Sequence, residues 1–336
     1  MMKKELIRIF VLCLALMPLS VSQVVAQSNE TNEEVELSED SVVSVIAFFN
    51  KNDTLTYRYD FQETRAVEGD TVLLQSLSRN ISIVVTDSTE NGYTLEMIAE
   101  NIDDDEGNER SLSEIEFFKS IKGEKVIVQL DEYGTLKGIS NRKALCDKAK
   151  AALNNTFGNK NIDKETAKNL KRMVEQTLNS EEGIMGMFPE LDLLFGSHGI
   201  QVQIGENNVV DSTSSEILVT YKYIADNDYN EDGSYAGYFT MVLMETIIPK
   251  EKFSGQLAKG LSSMGFGKEK KLAGTLGDFF DKELKDDVNI RGYESREYYP
   301  IGWPKKTVTM KESDMGNIMN VKARRITCTS YSLYNF

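Results

Sequence analysis

In "LTYRYDF" (55–61) apolar and polar side chains alternate without a break. Leu55, Tyr57, Tyr59 and Phe61 fall on one side, Thr56, Arg58 and Asp60 on the other. Successive side chains of a strand point to opposite faces, so this period predicts an antiparallel strand with one face buried and one wet. Similar runs follow. "ISIVVT" (81–86) and "YTLEMIA" (93–99) are joined through the turn signal "ENG", and "EKVIVQL" (124–130) and "TLKGI" (135–139) flank "DEYG". Both pairs read as hairpins.

Helical spacing then takes over. One helix is expected over Asn141–Leu153 and a second over Asp163–Leu178, with Ala167, Leu170, Val174 and Leu178 on one face. Strands resume at "EILVTYKYI" (216–224) and "GYFTMVLMETII" (237–248), the latter ended by Pro249. Two further helices are expected over Phe253–Leu284, and three strands near "SREYYPI" (295–301), "KTVTM" (306–310) and "KARRITCTSYSL" (322–333) close the chain. Hairpins rather than βαβ crossovers, interrupted by helical blocks, predict an α+β fold. Its large antiparallel sheet is covered by helical insertions at about 141–196 and 250–286. Both insertions fall between strands of one sheet, so residues 41–336 are expected to form a single domain.

Residues 1–26 set the expected destination. Lys3, Lys4 and Arg8 precede an apolar run from Ile9 to Leu19, and Val24 and Ala26 are small residues ahead of Gln27. The pattern is that of a secretory signal peptide, too short for a membrane span. Cys13 lies within the apolar run, a poor setting for lipid attachment, so a soluble cleaved product is expected in the periplasm, on the cell surface or outside. Residues 27–40, "QSNETNEEVELSED", offer little to bury and read as an acidic flexible tether. The leader carries three cations and Glu5, a net of +2, so its removal takes the chain from −15 to −17. Such acidity argues against nucleic acid and anionic headgroup surfaces as partners, which need clustered Lys and Arg.

Candidate chemistry is sparse, and no cofactor is implied. His198, the single histidine, sits in "GSHG" without the G-x-S-x-G frame of a nucleophile elbow. It is expected at a helix end, where His198→Ala would change stability by no more than about 0.5 kcal/mol. One histidine and scattered cysteines give no zinc spacing. Asp228, Asn230 and Asp232 before Gly233 copy the first half of a calcium loop, but Phe239 occupies the place of the bidentate Glu; the other reading is a polar hairpin tip. "GLSSMGFGK" (260–268) misses the phosphate-loop register, and "SNRK" (140–143) has no companion motif. Cys146 and Cys328 could form one disulfide in an oxidising compartment, or each could be a small core residue. Asp-Ser/Thr pairs beginning at Asp40, Asp53, Asp70, Asp87 and Asp211 resemble an O-glycosylation sequon of exported proteins in some Gram-negative anaerobes, and equally suit turns and strand ends.

The stretch "GIMGMFPELDLLFGSHG" (183–199) stands out instead. Ile184, Met185, Met187, Phe188, Leu191, Leu194 and Phe195 give it an apolar face; Pro189 suits a first helical turn; Gly183, Gly186 and Gly196 allow bending. It reads as a cover whose apolar side meets a sheet or a ligand, with Glu190 and Asp192 facing water.

The order "LTYRYDF", "NGYTLEM", "LDEYGTLKGI", helices, then "YYPIGWPKKTVT" resembles that of a group of exported Gram-negative envelope proteins. Their architecture is similar to the curved half-barrel of lipoprotein carriers, with helices plugging an apolar concave face. The resemblance brings no catalytic residue. It implies a non-enzymatic protein that binds an apolar ligand, a lipid or a lipoprotein segment under its cover. The alternatives are a structural or interaction protein of the envelope without a ligand, and a carboxylate-based hydrolase.

Overall fold

The computed structural model describes residues 41–67, 69–104, 123–158, 185, 188–211, 219–263, 273–274, 276–277, 287–316 and 318–334. The expected leader (1–26), the tether (27–40) and the expected helix at 163–178 lie outside these. In chain order the first half runs β1 (Val42–Ser44), β2 (Thr54–Val67), β3 (Asp70–Thr89), β4 (Gly92–Asp104), β5 (Lys125–Leu130), β6 (Leu136–Ile139), α1 (Arg142–Gly158) and α2 (Pro189–Phe195). The second half runs β7 (Gln201–Gln203), β8 (Gly205–Asp211), β9 (Val219–Tyr229), β10 (Tyr235–Ile248), α3 (Lys250–Ser263), β11 (Val288–Tyr298), β12 (Pro304–Asp314) and β13 (Ile318–Ser332).

Among the described residues eleven strands form one open antiparallel sheet in the order β6-β5-β4-β3-β2-β13-β12-β11-β10-β9-β8, and β1 pairs separately with β7. Two meanders meet where the first long strand pairs with the last. One runs outward from β2 to β6; the other runs inward from β8 to β13. β6 and β8 are therefore opposite edges, and the chain between them returns from one to the other. That passage carries α1 and α2, and α2 lies against β12 and β13 at the sheet's centre.

The alternation seen in the sequence sets the inward face. Leu55, Tyr57 and Tyr59 of β2 are buried while Arg58 is exposed, and Ile81, Ile83 and Val85 of β3 repeat the pattern. Inward residues gather into two separate apolar clusters. The first joins β2–β6 to Leu145, Cys146 and Ala149 of α1, to α2, and to Ile301 and Trp303 of the β11–β12 turn. The second joins β9–β11 to Val43, Val45 and Val202, and to Phe253 and Ala258 of α3.

One end of the sheet is tied by residues 45–49. Val45 N–H donates to Ile200 O (3.0 Å), Ala47 N–H to Tyr133 O (2.9 Å) and Phe48 N–H to Ile301 O (3.0 Å), so this strap links the α2–β7 connection to the β5–β6 and β11–β12 turns. Close approach needs glycine here. A Cβ on Gly302 would stand 2.1 Å from Ile46 O, and one on Gly134 2.6 Å from the Ala47 Cβ.

Candidate functional site: the covered face of the sheet

Most of the sequence-predicted cover residues that are described meet at α2. Phe188, Leu191, Leu194 and Phe195 are each at most 2% exposed and belong to the first cluster, against which half-buried Met185 packs. Ile184 and Met187 lie outside the described residues. Pro189 opens the helix, where its missing N–H costs nothing, and Gly196 N–H closes it on Asp192 O at 2.8 Å.

Two expectations about this segment are overturned. Glu190 does not face water: it is 0% exposed and ion-paired with Arg79 of β3, itself stacked over the Tyr59 ring at 4.8 Å. Burial pushes the Glu190 carboxyl above its usual range against the pull of Arg79. Leu193 is also buried, so α2 is wrapped nearly all round rather than along one stripe; Asp192 alone in the helix is exposed. The cause is a second set of polar contacts. Arg296 of β11, with its Nε donating to Glu294 at 2.6 Å, donates through Nη1 to Asp192 O (2.9 Å) and Leu193 O (2.8 Å). Thr307 Oγ1 of β12 donates to Leu193 O at 2.9 Å. Carbonyls at a helix C-terminus lack intrahelical donors, and the sheet supplies them here.

His198 is likewise not an exposed residue at a helix end. It is 3% exposed, and its Nε2–H donates to Gly302 O at 3.0 Å. Its ring lies 5.9 Å from Phe49, 5.7 Å from Phe195 and 5.9 Å from Tyr298, with Phe49 stacked on Trp303 at 3.7 Å. Burial lowers its pKa to about 4, with the Gly302 carbonyl pulling the other way. Nδ1 is buried without a partner. The imidazole is a neutral knot between the strap, α2 and the β11–β12 turn.

The other candidates are dispersed. Of the two cysteines weighed for a disulfide, Cys146 is a buried residue of α1 in the first cluster, and Cys328 is on β13, where its Sγ donates to Ser330 O at 3.5 Å. Asp228, Asn230 and Asp232 sit at the β9–β10 hairpin, where Asp232 accepts from Ser234 N–H (2.9 Å) and Oγ (2.6 Å), Asn230 Nδ2 donates to Ser234 Oγ (2.9 Å), and Asp228 faces Lys305 at 3.6 Å. Their polar atoms serve the turn, and among the described residues no acid, histidine or cysteine cluster suited to a metal occurs.

Strand register places the inward side chains in rows across the sheet. The row beneath α2 reads Thr240, Arg296, Thr307, Ile326, Tyr59, Arg79. The next reads Val242, Glu294, Thr309, Arg324, Phe61, Leu77, and the one after it Met244, Gly292, Lys311, Lys322, Glu63, Gln75. The two apolar clusters are thus parted on β12 and β13 by a polar seam. Reading the sequence did not find this seam. Its signal is present all the same: Arg79, Arg296, Lys311 and Arg324 occupy inward positions of the strand alternation.

No protein-family model matches the chain, and no curated protein matches it. Among solved structures it is similar to lipovitellin, in a study of lipid–protein interactions, with a TM-score of 0.36 and 11% identity over 86% of this chain. The chain spans about a quarter of that protein, 26%. It is also similar to a DUF1329 family protein from Desulfovibrio piger, with a TM-score of 0.17 and 8% identity, covering 82% of this chain and 86% of the other. At such TM-scores neither likeness bears on what this chain does. Among the described residues no helix is long and apolar enough to cross a membrane.

Proposed function

We propose that this is a non-enzymatic, exported envelope protein that holds an apolar ligand, a lipid or a lipoprotein segment, between a curved half-barrel sheet and its helical cover. The observation that carries the reading is the division of one sheet face into two apolar clusters under different covers, α1 with α2 and α3, parted on β12 and β13 by the polar seam of Arg324, Lys311 and Lys322. A domain built only for stability would gain from one continuous apolar core, because burial contributes about 25 cal/mol per Å². The absence of catalysis is part of the proposal. Supporting it, four buried carboxylates are each engaged: Glu190 and Glu294 with arginines in the contacts that seat α2, Glu63 with Lys322, and Asp53 with the backbone N–H groups of Asn50 and Tyr334. Export rests on the leader-like residues 1–26.

Native mass spectrometry of protein purified from its own envelope, joined to titration with the uncharged probe N-phenyl-1-naphthylamine, tests the reading. A bound mass of lipid size and saturable probe fluorescence are expected. If neither is seen, a structural or interaction protein of the envelope is the better description. The burial of Phe188, Leu191, Leu194 and Phe195 to at most 2% favours that second reading, since a closely packed cover leaves little room beneath α2 itself.

A further inference from the structure

The seam beyond α2 is basic in a place where a sheet face is normally apolar. Lys311 of β12 stands directly opposite Lys322 of β13, and Arg324 lies one row nearer α2. Like charges directly opposite on neighbouring strands are destabilising. Lys322 has Glu63 at 3.6 Å, and Arg324 lies over the Phe61 ring at 5.9 Å. Lys311 has no such relief. Its Nζ is buried and, among the described residues, makes no hydrogen bond. On its other side stands Gly292, where a Cβ would be 3.2 Å from Met244 Cε, so an apolar wall meets the ammonium there.

The neighbouring acids are engaged elsewhere: Glu294 with Arg296, Glu190 with Arg79, and Glu63 with Lys322. Burial, and then the positive charges of Lys322 and Arg324, pull the Lys311 pKa down to about 8. The ammonium therefore remains largely protonated at neutral pH. A buried cation without an acceptor is costly, and a rule broken at one place in an otherwise consistent sheet is expected at functional sites.

We propose that Lys311, Lys322 and Arg324 receive the anionic head group of a single-chain amphiphile, its carboxylate or phosphate accepting from Lys311 Nζ. Its tail points toward the second cluster, whose Met244 stands in the same row of the sheet as Lys311, and enters by displacing side chains there. The inference rests on the apolar-ligand reading above and deepens it, by giving that ligand a charge and a direction. Acidity of the whole chain does not oppose it, because the three cations are grouped on the covered face.

Binding of oleate, oleyl alcohol, lysophosphatidic acid and inorganic phosphate to the wild-type chain, Lys311→Met and Arg324→Gln provides the test. Oleate or lysophosphatidic acid is expected to bind about tenfold or more tighter than the alcohol, as a charge-assisted hydrogen bond allows. Whichever of the two binds tighter identifies the head group as carboxylate or phosphate. Lys311→Met should bring anion and alcohol within a few-fold while leaving alcohol binding unchanged, and Arg324→Gln should do so in part. Lys311→Met removes an unpaired buried charge, so it is expected to remain folded in a thermal melt. Equal binding of oleate and alcohol to the wild type would overturn the head-group site and leave the apolar-ligand reading standing. So would anion binding unaltered in both variants. Inorganic phosphate binding as tightly as the amphiphiles would make this a small-anion site and overturn the proposal. If neither amphiphile nor alcohol binds, both readings fall together.

Discussion

At the residue scale, His198 shows how burial turns a side chain into a pH-dependent element of stability. Its unfolded pKa is about 6.5, and burial holds the folded value at about 4. Between these values the unfolded chain takes up a proton that the folded chain refuses. Stability contributed by the neutral ring is therefore complete above about pH 6.5 and falls as pH drops toward 4, by about 3 kcal/mol in all. Urea unfolding between pH 7 and 4 should show His198→Gln with a flatter profile than wild type by that amount; parallel profiles would contradict the buried neutral ring. His198→Ala at pH 7 should cost about 2–4 kcal/mol, because it opens a cavity and leaves the Gly302 carbonyl without its donor. The thiols follow the same logic. Burial pushes both Cys146 and Cys328 above the usual thiol range, so a thiol reagent should titrate them fully only in denaturant. A disulfide between them would appear as their failure to react even then.

At the element scale, α2 is seven residues long, too short to persist alone, and is held by what it touches. Arg79→Met would leave the Glu190 carboxylate buried and unpaired and should cost about 3–5 kcal/mol in chemical denaturation. Arg79→Met combined with Glu190→Met should recover most of that loss, since a well-packed apolar pair often replaces a buried ion pair without penalty. Additive losses in the double variant would mean that the two side chains do not act as a pair. Strands such as β2 and β5 were legible in the sequence because period-two alternation is a local signal; "ENG" and "DEYG" likewise mark the β3–β4 and β5–β6 turns. The apolar run Leu191, Leu194, Phe195 was legible as a cover for the same reason. The Arg79–Glu190 pair was not, because its partners are 111 residues apart and only strand order brings them together. Glu190 in a short helix suggests solvent until the inward-facing arginine beneath it is known. β1, β7 and β8 were missed too. The first two have three residues each, too few for a period to show, and β8, "GENNVVD", lacks a clear apolar alternation.

At the scale of the whole molecule, the joining of β2 to β13 decides whether two meanders behave as one body. Their paired residues lie at opposite ends of the described chain, from Val67 with Ile318 to Thr54 with Ser332. The apolar clusters on either side are separate, so each meander has a core of its own and independent unfolding is a real alternative. Three contacts oppose it. The β2–β13 ladder is continuous apart from one irregularity near Cys328; Tyr57 Oη donates across the junction to Pro304 O at 3.1 Å; and Arg296 of the second meander grips α2, which is packed in the first. A single cooperative transition is therefore expected. In native-state hydrogen exchange the slowest amides should lie in β2, β3 and β13, with the edge strands β6 and β8 opening first. Removing residues 318–336 should abolish that transition, because it exposes β2 and β12 as two long unpaired edges and takes Ile326 from the first cluster. Two resolved transitions in the intact protein, or a truncated chain that still melts cooperatively, would show that the meanders stand alone and that the seam is a boundary between two folding units.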